Sequence, residues 1–288
     1  MKDSGLIKTE LLPSLEDIEF YNQYGWYKSP VIFTDEEIDS AVKGAKDFYD
    51  GKVDFSLPTK EGIADDKVDE KLTIRNNEFV TLQKKELRAI GWHPMIRETA
   101  KRLTKSSYIR LFADSLVNKL PTNNIDDGII GWHSDKAYWP TCSSNKLLTV
   151  WIPLQDCTIE MGPVVYIDGS HKWEIDEDMK QFFSFNNQDL QSFQVYLHKN
   201  KASFKKSFMT LKKGQVSFHS CNTIHSSSPN ISNKSRLALA VHLQDDSNHY
   251  QEAFMANGEK IIIGYDKICS KDRNGNPDYS DKSIFPII

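Results

Sequence analysis

The stretch GWHSDKAYW, residues 131–139, sets His133 and Asp135 two positions apart among aromatic residues. An imidazole and a carboxylate are ligands for a divalent metal. Two histidines with one carboxylate would leave positions on Fe(II) open for a co-substrate and O2. The pair alone is a weak signal, because 8 His and 40 Asp+Glu in 288 residues produce about one His-x-acid by composition. Read as part of a strand, the segment aims both side chains at one face, since residues i and i+2 share a side. His219, His225 and His242 all lie in the later half of the chain, and distance along the sequence does not choose a third ligand among them.

A second requirement narrows the choice. A dicarboxylate sharing the iron needs a cation for its far end, and the planar fork of Arg grips a carboxylate with two parallel hydrogen bonds. The run HSSSPNISNKSRLALAVHL offers His225, then a Ser/Pro/Asn turn, then Arg236 opening a β-rich segment. A hairpin there is expected to bring ligand and anion clamp into one pocket.

The elements that would hold these residues follow from pattern. GWYKSPVIF (25–33) reads as a short strand interrupted by Pro30. Thr34 with Glu37 forms a capping box, and Ile38, Ala41, Val42, Ala45, Phe48 and Tyr49 recur at helical spacing up to Gly51. Residues 51–78 are charged and irregular, which predicts a long loop. Pro94 is placed to open a second helix. From about residue 107, YIRLFADSLVNKL, LLTVWIPLQD, PVVYID, GQVSFHS and SRLALAVHLQ are short β-rich runs separated by Gly, Pro, Asn and Ser. Many short strands with turn signals predict a sandwich, barrel or jelly roll. Residues 173–210 are polar and mixed, and read as an insertion near the mouth of the barrel.

Composition excludes other classes. Net charge is −4, so no basic field gathers nucleic acid or acidic lipid. Met1-Lys2-Asp3-Ser4 leads into a charged segment with no signal-peptide core, and no run of about 18 apolar residues could span a membrane. Cys142, Cys157, Cys221 and Cys269 form no C-x-x-C pair and are expected to be thiols in a reducing cytoplasm, which disfavours a cysteine-built zinc site.

In order along the chain, GWHSDKAYW, LLTVWIPLQD, MGPVVYIDGSHKW and HSCNTIHSSSPNISNKSRLALAVHL resemble the phytanoyl-CoA dioxygenase family of iron(II)/2-oxoglutarate oxygenases. The resemblance runs from about Gly25 to the C-terminal GNPDYSDKSIFPII and is densest over 131–243. It implies a mainly β fold with flanking helices, a double-stranded β-helix of the jelly-roll, cupin-like kind. The whole of 1–288 would be one oxygenase domain, with helical support over about 1–106, the β-helix core over about 107–250 and the insertion at 173–210. It implies that His133, Asp135 and His225 bind iron and that Arg236 holds the distal carboxylate of 2-oxoglutarate. By the same likeness Ser227 donates a hydroxyl to that carboxylate, Trp139 and Trp151 line the co-substrate pocket, and Thr149 is a further contact. Gly162-Pro163 and Gly169-Ser170-His171 match a family stretch with scaffold and turn roles. His219, His171 and His242 are expected to be wall residues rather than ligands.

The implied activity is hydroxylation of an unactivated C–H bond of a small molecule, with O2 and 2-oxoglutarate consumed and succinate and CO2 released. Some relatives replace the ligand carboxylate by a small residue to admit chloride; Asp135 favours hydroxylation over halogenation. A free, polar natural-product intermediate is the expected substrate, as for bacterial tailoring hydroxylases of the cylindrospermopsin type, with acyl-CoA or amino acid substrates as alternatives. Lys199, Lys201, Lys205 and Lys206 read as a solvated face rather than a CoA site. Substrate orientation is expected from the 51–78 loop and the 173–210 insertion. Two other outcomes stay open: desaturation or epimerisation, and a non-catalytic jelly-roll binding module.

Overall fold

The computed structural model describes residues 7–66, 73–184, 187, 189–201 and 203–288. Its strands are β1 (Trp26–Lys28), β2 (Ile74–Glu78), β3 (Ile109–Lys119), β4 (Ile130–His133), β5 (Leu148–Pro153), β6 (Val164–Ile167), β7 (Lys206–Phe208), β8 (Ser217–Ser220), β9 (His225–Ser227) and β10 (Arg236–Asp245). They form a larger sheet in the order β1-β8-β5-β10-β3-β2 and a smaller one in the order β4-β9-β6-β7. The pairings are antiparallel, and from β3 to β6 and again from β7 to β10 successive strands alternate between the two sheets, as in a double-stranded β-helix.

Period-two alternation divides each strand between fold and site. On β5, Leu148, Val150 and Ile152 enter the main apolar core, while Thr149 and Trp151 face the cavity between the sheets. On β10, Leu239, Val241 and Leu243 enter the core, while Arg236, Ala240 and His242 face the cavity. The helices close that core from outside. Asp35–Tyr49 starts at the expected box: the Thr34 hydroxyl accepts from the Glu37 N–H at 3.3 Å, and the Glu37 carboxylate accepts from the Thr34 N–H at 2.8 Å. Its buried stripe is Ile38, Ala41, Ala45 and Phe48; Val42 turns outward. Pro94 begins the helix Pro94–Thr104, which buries Met95, Ile96, Ala100 and Leu103 against the same core.

Two expectations about the elements need correction. The 51–78 segment is not loop throughout, because Ile74–Glu78 pairs with β3 as the edge of the larger sheet. Charged and amide residues mask this strand because an edge has one solvated side. The described residues of the 173–210 insertion pack away from the cavity. Its helix Leu190–Asn200 sends Phe193 and Leu197 against Trp132, Val165, Ile167 and Ile224, the outward face of the smaller sheet. None of its described residues lines the cavity. Its chain passes so close to β4 that a Cβ on Gly131 would collide with the Ser184 carbonyl.

Candidate functional site

A cavity of about 350 Å³ lies between the sheets, and each sheet contributes polar residues to it. His133 ends β4 and His225 begins β9, with Cα atoms paired across the ladder. Their outward neighbours Trp132 and Ile224 anchor the strands in apolar packing, so both imidazoles are turned inward. His133 Nδ1 donates to the Gly131 carbonyl at 2.7 Å, and His225 Nδ1 donates to the Thr223 carbonyl at 2.9 Å. Each ring is thus hung from the carbonyl two residues before it, which fixes the tautomer with Nε2 as the lone-pair nitrogen.

Asp135 is not in a strand with His133. The strand ends at His133, and Asp135 opens the helical turn Asp135–Tyr138. The two side chains converge because the chain turns between them, not because they alternate. Asp135 Oδ1 lies 3.9 Å from His133 Nε2 and 3.6 Å from His225 Nε2. Oδ2 is committed elsewhere: it accepts from Thr149 Oγ1 at 2.5 Å and His219 Nε2 at 3.1 Å. One oxygen is therefore held by donors and the other is presented with the two imidazoles. Ligand atoms of His133, Asp135 and His225 all lie within 4.8 Å of one another.

The protonation states suit a metal. Burial works against the Asp135 charge, but His225 and His219 overcome it and hold the carboxyl well below its ordinary value. Burial, reinforced by His225, depresses His133 to about 3. Burial also depresses His225, to about 4, against the pull of Asp135. Neutral imidazoles and an ionised carboxylate are the forms that ligate metal. A divalent ion such as Fe(II) fits this donor set.

His219 and His242 are wall residues with definite work. His219 Nε2 donates to Asp135 while Tyr166 OH donates to its Nδ1 at 3.0 Å, and Tyr166 accepts from Ser217 Oγ at 2.8 Å. Thr149, having given its proton to Asp135, accepts from His242 Nδ1 at 2.8 Å. His171 lies apart, with its Nε2 on the Asn22 carbonyl. Trp139 lines the cavity and packs edge-on against His242 and Phe112.

At the other end stands Arg236, 1% exposed, with Trp151 beneath its guanidinium at 5.5 Å. Its Nη1 donates to the Gly162 carbonyl, while its buried Nε has no protein acceptor. Gly162 sits at φ +62°, where an added Cβ would strike the Ser228 carbonyl, so the Gly162-Pro163 turn is scaffold for this corner. His225 and Arg236 do not form a hairpin: β9 belongs to the smaller sheet and β10 to the larger, and the cavity brings them together. Ser227 also lines the cavity, but its Oγ accepts from Lys119 Nζ at 2.6 Å.

Sequence reasoning missed Lys119, Tyr166, Glu78 and Tyr265. Lys119 closes the run YIRLFADSLVNKL and reads as a solvated strand end, yet its side chain is fully buried. Glu78 reaches the cavity from β2, held by Tyr265 OH at 2.6 Å and the Ala64 N–H at 2.7 Å. Lys205 and Lys206 are occupied by Asp168 and Gln194, and none of the four insertion lysines lines the cavity. The four cysteines are free and buried, and none of them lines it.

Comparison with known proteins bears on this geometry. The phytanoyl-CoA dioxygenase family model matches residues 21–238. The peroxisomal phytanoyl-CoA dioxygenase of Bos taurus is 27% identical over 147 residues, which is 51% of this chain and 42% of that protein; the chain thus matches less than half of that relative. Among solved structures, the non-heme alpha-ketoglutarate-dependent carbocyclase SnoK from nogalamycin biosynthesis superposes with TM-score 0.70 at 21% identity, covering 96% of both chains. EctD from S. alaskensis, solved with 2-oxoglutarate and 5-hydroxyectoine, gives TM-score 0.68 at 17% identity over 94% of this chain and 87% of that one. At those identities the structures establish the shared jelly-roll fold. The family match covers most of the sequence and contains His133, Asp135, His225 and Arg236, and the chain belongs to the phytanoyl-CoA dioxygenase family of iron- and 2-oxoglutarate-dependent oxygenases.

Proposed function

We propose that the protein is an Fe(II)- and 2-oxoglutarate-dependent dioxygenase that hydroxylates an unactivated C–H bond of a small molecule, a natural-product intermediate. The observation that carries this reading is the division of Asp135, with Oδ2 held by Thr149 and His219 and Oδ1 facing His133 and His225. A metal held there would have one monodentate carboxylate and two imidazoles, leaving positions for a chelating co-substrate and O2. Iron, when bound, would activate O2, the oxidant: one oxygen atom would go to the substrate C–H bond and the other to 2-oxoglutarate, which leaves as succinate and CO2.

The chain's own residues do the rest. Carbonyl-hung imidazoles keep the ligand spacing, and Arg236 with Ser227 would hold the distal carboxylate of 2-oxoglutarate. Trp151 backs the Arg236 guanidinium, and Trp139 and Thr149 shape the wall beside the metal end. The cavity, about 350 Å³, is of small-molecule size. Asn76 and Glu78 bring polar groups from the 51–78 segment, which supports a polar substrate and that segment's part in orienting it. No helix among the described residues is long and apolar enough to cross a membrane. Free buried thiols support a reducing, cytoplasmic setting.

A second reading has specific support: SnoK and SnoN, of the same fold, are named a carbocyclase and an epimerase, so outcomes other than hydroxylation stand beside it. Product mass decides. One added oxygen supports hydroxylation, loss of two hydrogens supports desaturation or ring closure, and an unchanged mass supports epimerisation. The class itself is tested by adding Fe(II) and 2-oxoglutarate without oxygen. A visible charge-transfer band is expected, followed by succinate release when oxygen and substrate are admitted. A protein that binds neither would be a non-catalytic jelly-roll module.

A further inference from the structure

Lys119 is the Cα partner of Arg236 across β10 and β3; Arg236 lines the cavity, whereas Lys119 lies behind Ser227, outside the cavity wall. Both side chains are buried, at 0% and 1% exposure. A buried cation is costly unless an opposite charge or a full set of hydrogen bonds compensates it. Lys119 Nζ reaches only neutral oxygens: Ser227 Oγ at 2.6 Å, the Ser228 carbonyl at 2.7 Å and the Ser227 carbonyl at 3.5 Å. Arg236 donates to the Gly162 carbonyl and keeps a buried Nε without an acceptor. Apart from each other, the ionisable side chain that acts on both is Cys157, whose thiol burial pushes up to about 11 and so keeps neutral. Among the described residues, no carboxylate is hydrogen-bonded or ion-paired to either of these two buried cations.

We propose that Lys119 is a positioning residue for the co-substrate, forming with Arg236 a dicationic seat for the distal carboxylate of 2-oxoglutarate and acting through Ser227. This rests on the 2-oxoglutarate reading above. An ammonium has no lone pair, so Ser227 Oγ must accept from Lys119. Its own proton is then directed away from Lys119, and Ser227 lines the cavity. Lys119 converts a hydroxyl that could either accept or donate into an obligate donor toward the ligand. The incoming carboxylate in turn supplies the missing negative charge. Burial and then Arg236 push the Lys119 ammonium well below its ordinary value, the imbalance an anion would relieve.

The test compares two oxoacids, 2-oxoglutarate and 2-oxopentanoate, which share the chelating end and differ in the distal carboxylate. Each is titrated with Fe(II) in the absence of oxygen, and binding is read from the charge-transfer band. The wild-type protein is expected to prefer 2-oxoglutarate. Lys119→Met should lower 2-oxoglutarate affinity by about tenfold or more, the scale of a charge-assisted hydrogen bond, and leave 2-oxopentanoate affinity unchanged. Lys119→Gln removes the charge but keeps a donor for the Ser228 carbonyl, and should lose the preference as well. Equal loss for both oxoacids would make Lys119 a brace for the 227–228 turn and overturn the proposal. An undiminished preference in both variants would overturn it too. If the wild type binds neither oxoacid, the co-substrate reading and this inference fall together; if Arg236→Met abolishes the preference and the Lys119 variants keep it, only this inference falls.

Discussion

The two ends of the cavity are opposites. At one, Asp135 and two neutral imidazoles offer lone pairs and a negative charge. At the other, Lys119 and Arg236 offer positive charge against neutral oxygens. The first is drawn mainly from the smaller sheet and the turn after β4, the second mainly from the larger sheet. Strand β9 joins them, because His225 and Ser227 stand two residues apart, about 7 Å along the strand. Under the proposed reading, a divalent metal would balance the first end, and a co-substrate chelating that metal would bring its distal carboxylate to the second. The lesson is that preorganisation here includes unsatisfied charge as well as geometry.

The comparison can be broken from either side. The largest effect is expected from His225→Ala, which should abolish iron retention after dialysis while co-substrate discrimination at the far end is not the cause; metal analysis of the washed protein checks this. If His219→Ala lost iron as completely, the ligand assignment would be wrong, because His219 touches Asp135 only through the committed oxygen. Next, Arg236→Lys should weaken 2-oxoglutarate binding by about tenfold or more, since a point charge replaces a bidentate fork, while leaving metal content unchanged. Unchanged co-substrate affinity in a binding titration would remove Arg236 from the seat.

Thr149→Val sharpens the metal end. It deletes the donor to Asp135 Oδ2 and leaves His242 Nδ1 without its acceptor. Loss of such an orienting group costs about 10–100-fold in metal affinity, and the low end is expected because His219 remains. Competition with a chelator of known strength would measure it, and wild-type affinity would show that Asp135 needs no such support.

A contrast with no part in the site concerns a second buried carboxylate. Asp114 has Thr81 as its hydrogen-bond partner through the hydroxyl and the N–H, and burial pushes its pKa up to about 7 from 3.8. Asp135, ringed by imidazoles, goes the other way. Below 3.8 both folded and unfolded forms of Asp114 are protonated. As pH rises toward 7 the unfolded carboxylate ionises first, so this group's share of stability falls across that window. Asp114→Asn should flatten that decline in urea unfolding measured at several pH values. A decline equally steep in the variant would assign it to other groups.

Much of this was legible in residue order. β3, β5 and β10 carry enough β-branched and apolar residues to be read directly, and Thr34 with Glu37 marked a helix start that the structure keeps. The identities of His133, Asp135, His225 and Arg236 came from spacing together with family likeness, and the structure brings them to one cavity. Local pattern did not reveal where chains cross. Alternation says which residues share a face, but the chain turns at Ser134, so Asp135 reaches the site by another route. β2 was hidden because an edge strand with a polar inner face lacks an apolar signature. Lys119 was hidden for a related reason: its burial is imposed by Ser227, Ser228 and Arg236, all more than a hundred residues away.

Gly131 ties the insertion to the metal end. It is the residue whose carbonyl carries His133, and its missing side chain is what lets the backbone near Ser184 lie against β4. The outer segment therefore works as a backing plate, and the thickness of the joint is set by backbone as well as by the apolar side chains Phe193 and Leu197. Even one methyl group at 131 would prise the plate away and tilt the hook from which the first imidazole hangs.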